Sequence, residues 1–590
     1  MTRLALSRRS LFAASLSAAV PLVVKPHAKP LAALWAVSDG EKVEADDLAN
    51  PHKRRNSAWD GHTARTFGAR NEVVAFQLVA EAGAAGIGAL SVRLPILRQV
   101  GGSGVIRYAP PVADPTDTVG RQIQVFSERY MTIAERSNAD WIYLRDSPAE
   151  PPDPLGPKPV QLVPENAAQG GFPLAVPAAR NQAFWFDIYI PRRAPAGVYR
   201  GRIEVRADDQ VRMVPVELTV FPFTLPDENS IDAMFYFESS QVELRYGRNL
   251  DPVFHRFAHR HRVEFVDAYD IATATAARSR FTGTDFTKSN GYEGPGEGVG
   301  NTLIPHTFYG PEPDFDTPEK AKANAPLWTD WLSKNLPGKK TFVYMPDEPS
   351  AEDYDYIRSL SSAVRASGAP LPIFTTHAYD AALDGPDKAI DIWATVADLY
   401  DSKAAATLRK DGRDMWFYNG QRPNVGSVVI ESPATDPRAN LWAAFKHNVS
   451  TYFYWHTNHW RHNRQVLPGR ERNQNVWLDP VTFYNKRGWW ANGDGVLMYP
   501  GEDLIYPDQD RGIAGPISTI QLANFRRGIQ DHLYLTMARN LGLHHLADQT
   551  VDQIVPAVLD EAGPSVSYPQ QANPYEQARL KLAQAIAARS

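Results

Sequence analysis

The spacing of apolar residues changes once along the chain, near residue 229, and that change limits the fold more than any other feature. Between residues 34 and 228, apolar and polar residues alternate with period two. The clearest runs are 72–80, 90–94, 183–190, 199–206 and 211–220, separated by turns rich in Gly, Pro and Asp. Short strands at this spacing predict an antiparallel β-sandwich. The segment 146–173 is proline-rich and reads as a long loop, and 221–226 reads as a linker. After Asn229 the order becomes strand, then helix. Strands are expected at 234–237, 263–266, 302–305, 341–345, 371–375, 391–393, 415–418 and 451–455. A helix is expected at 317–335 with Leu327, Trp331 and Leu332 as its apolar stripe, another at about 351–367, a C-terminal helix from Ser518 with Leu522, Phe525, Ile529 and Leu533 on one face, and a last helix started by Asn573-Pro574. Eight strands alternating with helices predict a (β/α)8 TIM-type barrel over 229–590, ending in C-terminal helices.

With 590 residues the chain exceeds one ordinary core. Its 43% hydrophobic and 22% charged content is that of a globular protein, and a net charge of -5 leaves no electrostatic footprint for nucleic acid. The absence of cysteine excludes disulfides, cysteine zinc sites and thiol nucleophiles. Ser7-Arg8-Arg9-Ser10-Leu11-Phe12 is a twin-arginine pattern, followed by an apolar run from 11 to 24. That run is short for a membrane span, so residues 1–33 read as an export signal with a linker, and a periplasmic or secreted protein without stable membrane insertion is expected. The alternative is a basic arm before a short buried helix.

Tyr344-Met345-Pro346-Asp347-Glu348-Pro349 places two adjacent carboxylates directly after the fourth expected strand. In a barrel that end of the strand is the catalytic face. Cleavage of a glycosidic bond needs a protonated acid at the leaving oxygen and a group that stabilises the oxocarbenium-like centre. Neighbouring carboxylates raise at least one pKa, which suits a general acid. An adjacent pair also suits a scheme in which a 2-acetamido oxygen of the substrate is the nucleophile. Equally, Asp347 could cap the following helix with Glu348 in its first turn.

A second cluster runs through Trp455, His456, Asn458, His459, Trp460, Arg461 and His462, past the eighth expected strand. Such rings stack on sugar faces, and Asn, His and Arg bond hydroxyls. Three histidines raise the possibility of a metal, but no carboxylate stands at fitting spacing, so no metal or other cofactor is expected. Phe453 reads as barrel core. Glu238, Asp267, His377, Tyr418, Asn419 and Glu431 lie at or past expected strand ends; each alone reads as structural or pocket-lining, and together they populate one face.

Several segments in order resemble glycoside hydrolase family 123, the β-N-acetylgalactosaminidase-type enzymes and their relatives. They are Asp347-Glu348-Pro349, Trp416-Phe417-Tyr418-Asn419, Tyr452-Phe453-Tyr454-Trp455, the run 493–501 and Arg526-Arg527-Gly528-Ile529-Gln530-Asp531, with Asn71-Glu72 to Phe76-Gln77 and 194–201 in the first half. The resemblance implies that Asp347 orients the acetamido group and Glu348 acts as acid/base, with retention of configuration and no metal. The sequence departs from the family at Gln521 and Ala523, where Arg-x-Glu is usual, and at His532 and Leu533.

The expectation is thus a retaining, exo-type glycosidase acting on β-linked N-acetylgalactosamine or a similar 2-acetamido sugar in an oligosaccharide or glycoconjugate. The alternatives are a glycosidase on another sugar with Glu238 or Glu431 as nucleophile, and a carbohydrate-binding protein without catalysis.

Overall fold

The computed structural model describes residues 29–144, 155–461, 474–485 and 487–590. The twin-arginine segment and His462 lie outside the described residues. Among the described residues no helix is long and apolar enough to cross a membrane.

Two sheets form the first half. One runs Leu31–Ser38, Glu72–Ala82, Asn181–Ile190, Ile123–Ile133, Gly156–Pro164, Pro516–Thr519 and Met498–Pro500. The other runs Ala64–Arg70, Gln210–Thr224, Gly197–Ala207, Ile87–Arg93 and Leu174–Val176. Their inner faces share one core: Trp35, Phe76, Phe184 and Phe186 from the first sheet meet Leu90, Tyr199, Ile203 and Leu218 from the second. This is the alternation in the sequence acting as it should, with one face of each strand removed from water. Two features depart from expectation. The strand Gly156–Pro164 occupies part of the stretch predicted as a loop. The strands Met498–Pro500 and Pro516–Thr519 come from far along the chain, yet extend the first sheet through Gly156–Pro164.

The third sheet is parallel throughout, in the order Glu264–Val266, Asp232–Tyr236, Thr451–Tyr454, Asp414–Tyr418, Ile392–Thr395, Ile373–Thr376 and Val343–Tyr344. Helices such as Pro318–Asn335, Tyr354–Ala366, Ser402–Lys410 and Asp436–Lys446 connect its strands. Burial on both faces explains why these strands are continuous apolar runs. The fold is therefore mixed β and α/β, and among the described residues the curled parallel sheet has seven regular strands, short of the eight expected for a complete ring. The segment 302–305 forms no regular strand, only a bridge from Leu303 to Lys340, in which the Ile304 N–H donates to Lys340 O at 2.8 Å and the Lys340 N–H to Thr302 O at 2.9 Å. The carboxylate of Glu264 accepts the backbone N–H groups of Thr302 and Leu303, at 2.8 and 2.9 Å, which a neighbouring strand would otherwise bind.

Three smaller corrections have local causes. The Pro318–Asn335 helix buries Ala321, Ala325, Trp328 and Leu332, whereas Leu327 is 60% exposed, so the stripe is displaced around the helix. The last helix, Ala572–Ala587, has Gln571 as its N-cap; Asn573 instead accepts the backbone N–H of Ser57. The Ile520–Asn540 helix buries its polar residues as well as its apolar ones, including Arg526, Arg527 and Asp531.

Candidate active site

A cleft of about 810 Å³ opens where the parallel strands end. Asp347 and Glu348 follow Val343–Tyr344, His377 follows Ile373–Thr376, Tyr418 and Asn419 close Asp414–Tyr418, and Trp455 follows Thr451–Tyr454. All six line this cleft. Binding at the C-terminal ends of parallel strands is the general rule for such sheets.

Asp347 does not cap a helix. The next helical turn, Ala351–Asp353, has Ser350 as N-cap, and the Ser350 N–H donates to Asp353 at 2.8 Å. The Oδ1 atom of Asp347 accepts two hydroxyls instead, from Tyr344 at 2.6 Å and Thr376 at 2.8 Å. Thr376 also accepts the backbone N–H of Glu348 at 2.9 Å. One hydroxyl thus fixes both members of the pair. Glu348 Oε1 accepts the phenol of Tyr418 at 2.7 Å. Among the described residues no protein group bonds Asp347 Oδ2 or Glu348 Oε2. Each carboxylate has one oxygen tethered and one free.

The backbone of Glu348 stands at φ +45°, in the left-handed region that a side-chain-bearing residue enters at a cost of about 1–3 kcal/mol. The bond from its N–H to Thr376 holds it there. Both carboxylates are exposed to the water of the cleft. The surrounding walls still desolvate Glu348 enough to raise its pKa above the usual value. The Tyr418 bond opposes that rise and the Asp347 charge adds to it. Burial and the Glu348 charge hold the Tyr418 phenol well above its ordinary range, so it serves as a hydrogen-bond donor.

The other cleft residues are brought from elsewhere. Asn419, at φ +57°, donates its N–H to Phe453 O at 3.0 Å and accepts the N–H of Trp455 at 3.1 Å, joining two strand ends. His377 is half-buried, its Nδ1 2.6 Å from Ala378 O. Trp141 belongs to the segment after Ile123–Ile133, while Phe483 and Trp489 belong to the hairpin of Val481–Tyr484 and Trp490–Asn492. Tyr309, Asp140, Asp398, Arg487 and Asp494 complete the lining in part. Asp494 and Trp489 stand inside or near segments that sequence reading singled out, but nothing in one dimension places Trp141 beside them.

The remaining candidates lie outside the lining of this cleft. Glu431 is 4% exposed and accepts the Ser137 N–H at 2.7 Å and the Asn492 side chain at 3.2 Å. Asn458 is fully buried and clasps the backbone of Glu238, accepting its N–H at 3.0 Å and donating to its carbonyl at 2.8 Å. Glu238 lies 3.4 Å from His456 and 3.1 Å from Arg461. Burial alone would raise its pKa, but these partners and Ser240 bring it down to about 2, as befits a permanently ionised anchor. His459 is held by Thr482 O at 3.0 Å, and burial lowers it to about 3. Trp460 is fully buried and donates to Met498 O at 3.0 Å. After Trp455 the chain turns away from the cleft, and Asn458 bridges to Val496. Asp267, raised to about 6 by burial, also lies outside the lining. Among the described residues no three His, Asp or Glu side chains are grouped to hold a metal ion.

Residues 329–538, which include the carboxylate pair and most of the cleft, match the family described as Glycoside hydrolase 123, catalytic domain. The protein is a glycosidase. More particularly, it is similar to the enzymes of glycoside hydrolase family 123. A solved family 123 glycoside hydrolase from Clostridium perfringens superposes with a TM-score of 0.60 at 13% identity, covering 95% of this chain and 98% of that one. The β-glucuronidase of Parabacteroides merdae gives a TM-score of 0.23 at 9% identity over 64% of this chain and 48% of that one. Active domain 2 of a Pyrococcus furiosus chitinase gives 0.23 at 11% over 42% and 92%. These last two overlaps are too loose to bear on the fold. No curated protein sequence matches the chain.

Proposed function

We propose that the protein is a retaining, exo-type glycosidase that cleaves β-linked N-acetylgalactosamine or a similar 2-acetamido sugar by substrate-assisted catalysis. The observation that carries this reading is the tethering of one oxygen on each of two adjacent carboxylates, with the other oxygen facing the cleft. Glu348, its pKa raised, holds a proton nearer neutrality than an ordinary glutamate. It gives that proton to the leaving-group oxygen and later accepts one from the attacking water. Asp347 is kept in one orientation by Tyr344 and Thr376. Its free Oδ2 accepts the acetamido N–H, which pushes electron density onto the acetamido oxygen as that atom attacks the anomeric carbon. The reaction passes through a cyclic intermediate and two inversions, hence net retention. The Clostridium perfringens relative is described in the context of glycolipid glycan hydrolysis, and a glycolipid or other glycoconjugate glycan is the substrate class we extend to this chain.

A protein nucleophile is less well supplied. Glu238 and Glu431 are bound within the fold, away from the cleft lining, and the further carboxylates of the lining are Asp140, Asp398 and Asp494. The test is a matched pair of aryl glycosides, the β-N-acetylgalactosaminide and the β-galactoside, with wild type and Asp347→Asn. Turnover confined to the acetamido substrate is expected, with a fall of at least about 100-fold in kcat for Asp347→Asn, as for loss of a transition-state hydrogen bond to a charged group. Equal turnover of the plain galactoside would overturn the substrate-assisted reading.

A further inference from the structure

We infer that Asp494 is a positioning residue that fastens two tryptophans, one from each half of the molecule, into a single stacking wall, and that the first half of the chain thereby helps to set affinity for the sugar. This rests on the cleft being a saccharide site, as proposed above. Asp494 is 2% exposed. Its Oδ2 accepts the indole N–H of Trp141 at 3.1 Å, and its Oδ1 accepts that of Trp455 at 2.9 Å and the phenol of Tyr454 at 3.2 Å. An indole N–H can only donate, so both oxygens must accept, and a carboxylate is the side chain of this size that can do so.

The bracket is rigid. The Asp494 carbonyl accepts the Thr482 hydroxyl at 2.7 Å, and the Gly495 N–H donates to Tyr454 at 3.1 Å. Gly495 stands at φ +73°, and a Cβ there would come within 2.6 Å of the Trp455 ring. Glycine alone lets the indole lie this close. Phe483 meets both indoles edge-on, with centroids 5.0 Å from Trp141 and 5.6 Å from Trp455, and Trp489 lies 5.4 Å from Trp141. These rings fix the planes of the two indoles. The segment carrying Trp141 is itself stitched to the parallel-sheet half. The Leu144 N–H donates to Arg422 O at 2.8 Å, the Arg422 N–H to Ile142 O at 3.0 Å, and the Gln421 side chain to Asp140 O at 2.8 Å. Trp455 is in turn bonded to Asn419, beside the Tyr418 that holds Glu348. The wall and the carboxylate pair are therefore parts of one frame.

The experiment compares Asp494→Asn, Trp141→Phe and the double variant in the full chain, using the aryl β-N-acetylgalactosaminide and near-ultraviolet circular dichroism. Asparagine keeps one acceptor but turns an amide N–H toward the other indole donor. Asp494→Asn should raise KM about tenfold, the loss of one buried charged hydrogen bond, with kcat within about threefold. Its indole bands should change. Trp141→Phe should raise KM about threefold, and the double variant should be no worse than Asp494→Asn, because the two changes break one bond. Unchanged KM and unchanged indole bands in Asp494→Asn would overturn the inference. So would a parallel fall of kcat, 1/KM and melting temperature, or strictly multiplicative effects in the double variant. A wild-type protein that cleaves no acetamido glycoside would defeat the proposed function. The indole bands of Asp494→Asn would still decide the positioning role, altered bands supporting it and unaltered bands sinking it.

Discussion

Two groups of charged residues in this molecule obey opposite rules. At the junction of the two halves, Glu72 of the first sheet and Asp39, just past its strand Leu31–Ser38, meet Arg438, Arg527, Asp531, Glu576 and Arg579 from the helices. Each is buried, and the charges answer one another. Arg579 bonds Glu72 at 3.0 Å and Glu576 at 2.8 Å, Arg527 bonds Glu72 at 2.8 Å and Asp39 at 3.0 Å, and Arg438 bonds Glu576 at 2.8 Å. Neutral donors add to these pairs: Tyr534 bonds the Glu72 oxygen that the guanidinium groups leave, and Trp442 shares Asp531 Oδ2 with Arg438. Burial raises Glu576, but three guanidinium groups outweigh it and hold the carboxyl well below its usual range. In the cleft, Asp347 and Glu348 lie side by side, and among the described residues no guanidinium is bonded to either and each keeps an oxygen without a protein partner. The junction pairs its charges and does no chemistry; the cleft leaves them unpaired, which is the condition for moving a proton.

The comparison is broken most severely at Glu348. Glu348→Gln keeps the shape and the Tyr418 partner but removes the proton. With a poorly activated leaving group kcat should fall about 10³-fold, the usual size of a lost general acid. Melting temperature should hold or rise slightly at neutral pH. A carboxyl whose folded pKa is raised contributes stability that is present below its unfolded pKa and lost as pH rises through the folded one, so removing the charge does no harm above it. Near-normal rates would remove Glu348 from the acid role. The converse holds at the junction. Arg579→Met should leave kcat per folded molecule unchanged while lowering unfolding free energy by about 3–5 kcal/mol, because Glu72 and Glu576 each lose a buried partner. Urea denaturation measures this, and a loss under about 1 kcal/mol would show that Arg527 and Arg438 suffice.

The same contrast explains what could be read from the sequence. Asp347 and Glu348 were legible because apolar residues lead straight into them, and a strand buried on both faces has no other signature. Tyr418, Asn419, His377 and Trp455 were legible for the same reason. The run from His456 to Trp460 continues the same motif on paper, but Asn458 folds it back onto Glu238, outside the lining of the cleft. The strand expected at 302–305 is reduced to its bridge with Lys340, because the Glu264 side chain takes the N–H groups of Thr302 and Leu303 and Pro305 has none to offer. The apolar stripe of Ile520–Asn540 was legible, but not that its Arg527 and Asp531 meet partners from residues as distant as Asp39 and Arg438. Pairing of this kind has no period. The same is true of Trp141, which reaches the cleft only because Arg422 and Gln421 hold its segment.

The finest difference between the two groups lies in the phenol that touches the acid. At the junction, Tyr534 bonds Glu72 beside two guanidinium groups and adds a further contact to a saturated carboxylate. In the cleft, Tyr418 supplies the bond that most opposes the raised pKa of Glu348. Tyr418→Phe removes that bond while keeping the ring that packs on Phe453 at 5.8 Å. The carboxylate form loses its stabilising donor, so the pKa of Glu348 moves further up. A general acid works while protonated, so the alkaline limb of kcat/KM against pH should shift to higher pH by up to about one unit. Tyr534→Phe should move no limb of that profile. An alkaline limb that stays in place, or moves down, in Tyr418→Phe would show that the limb belongs to another group and that Tyr418 only shapes the wall.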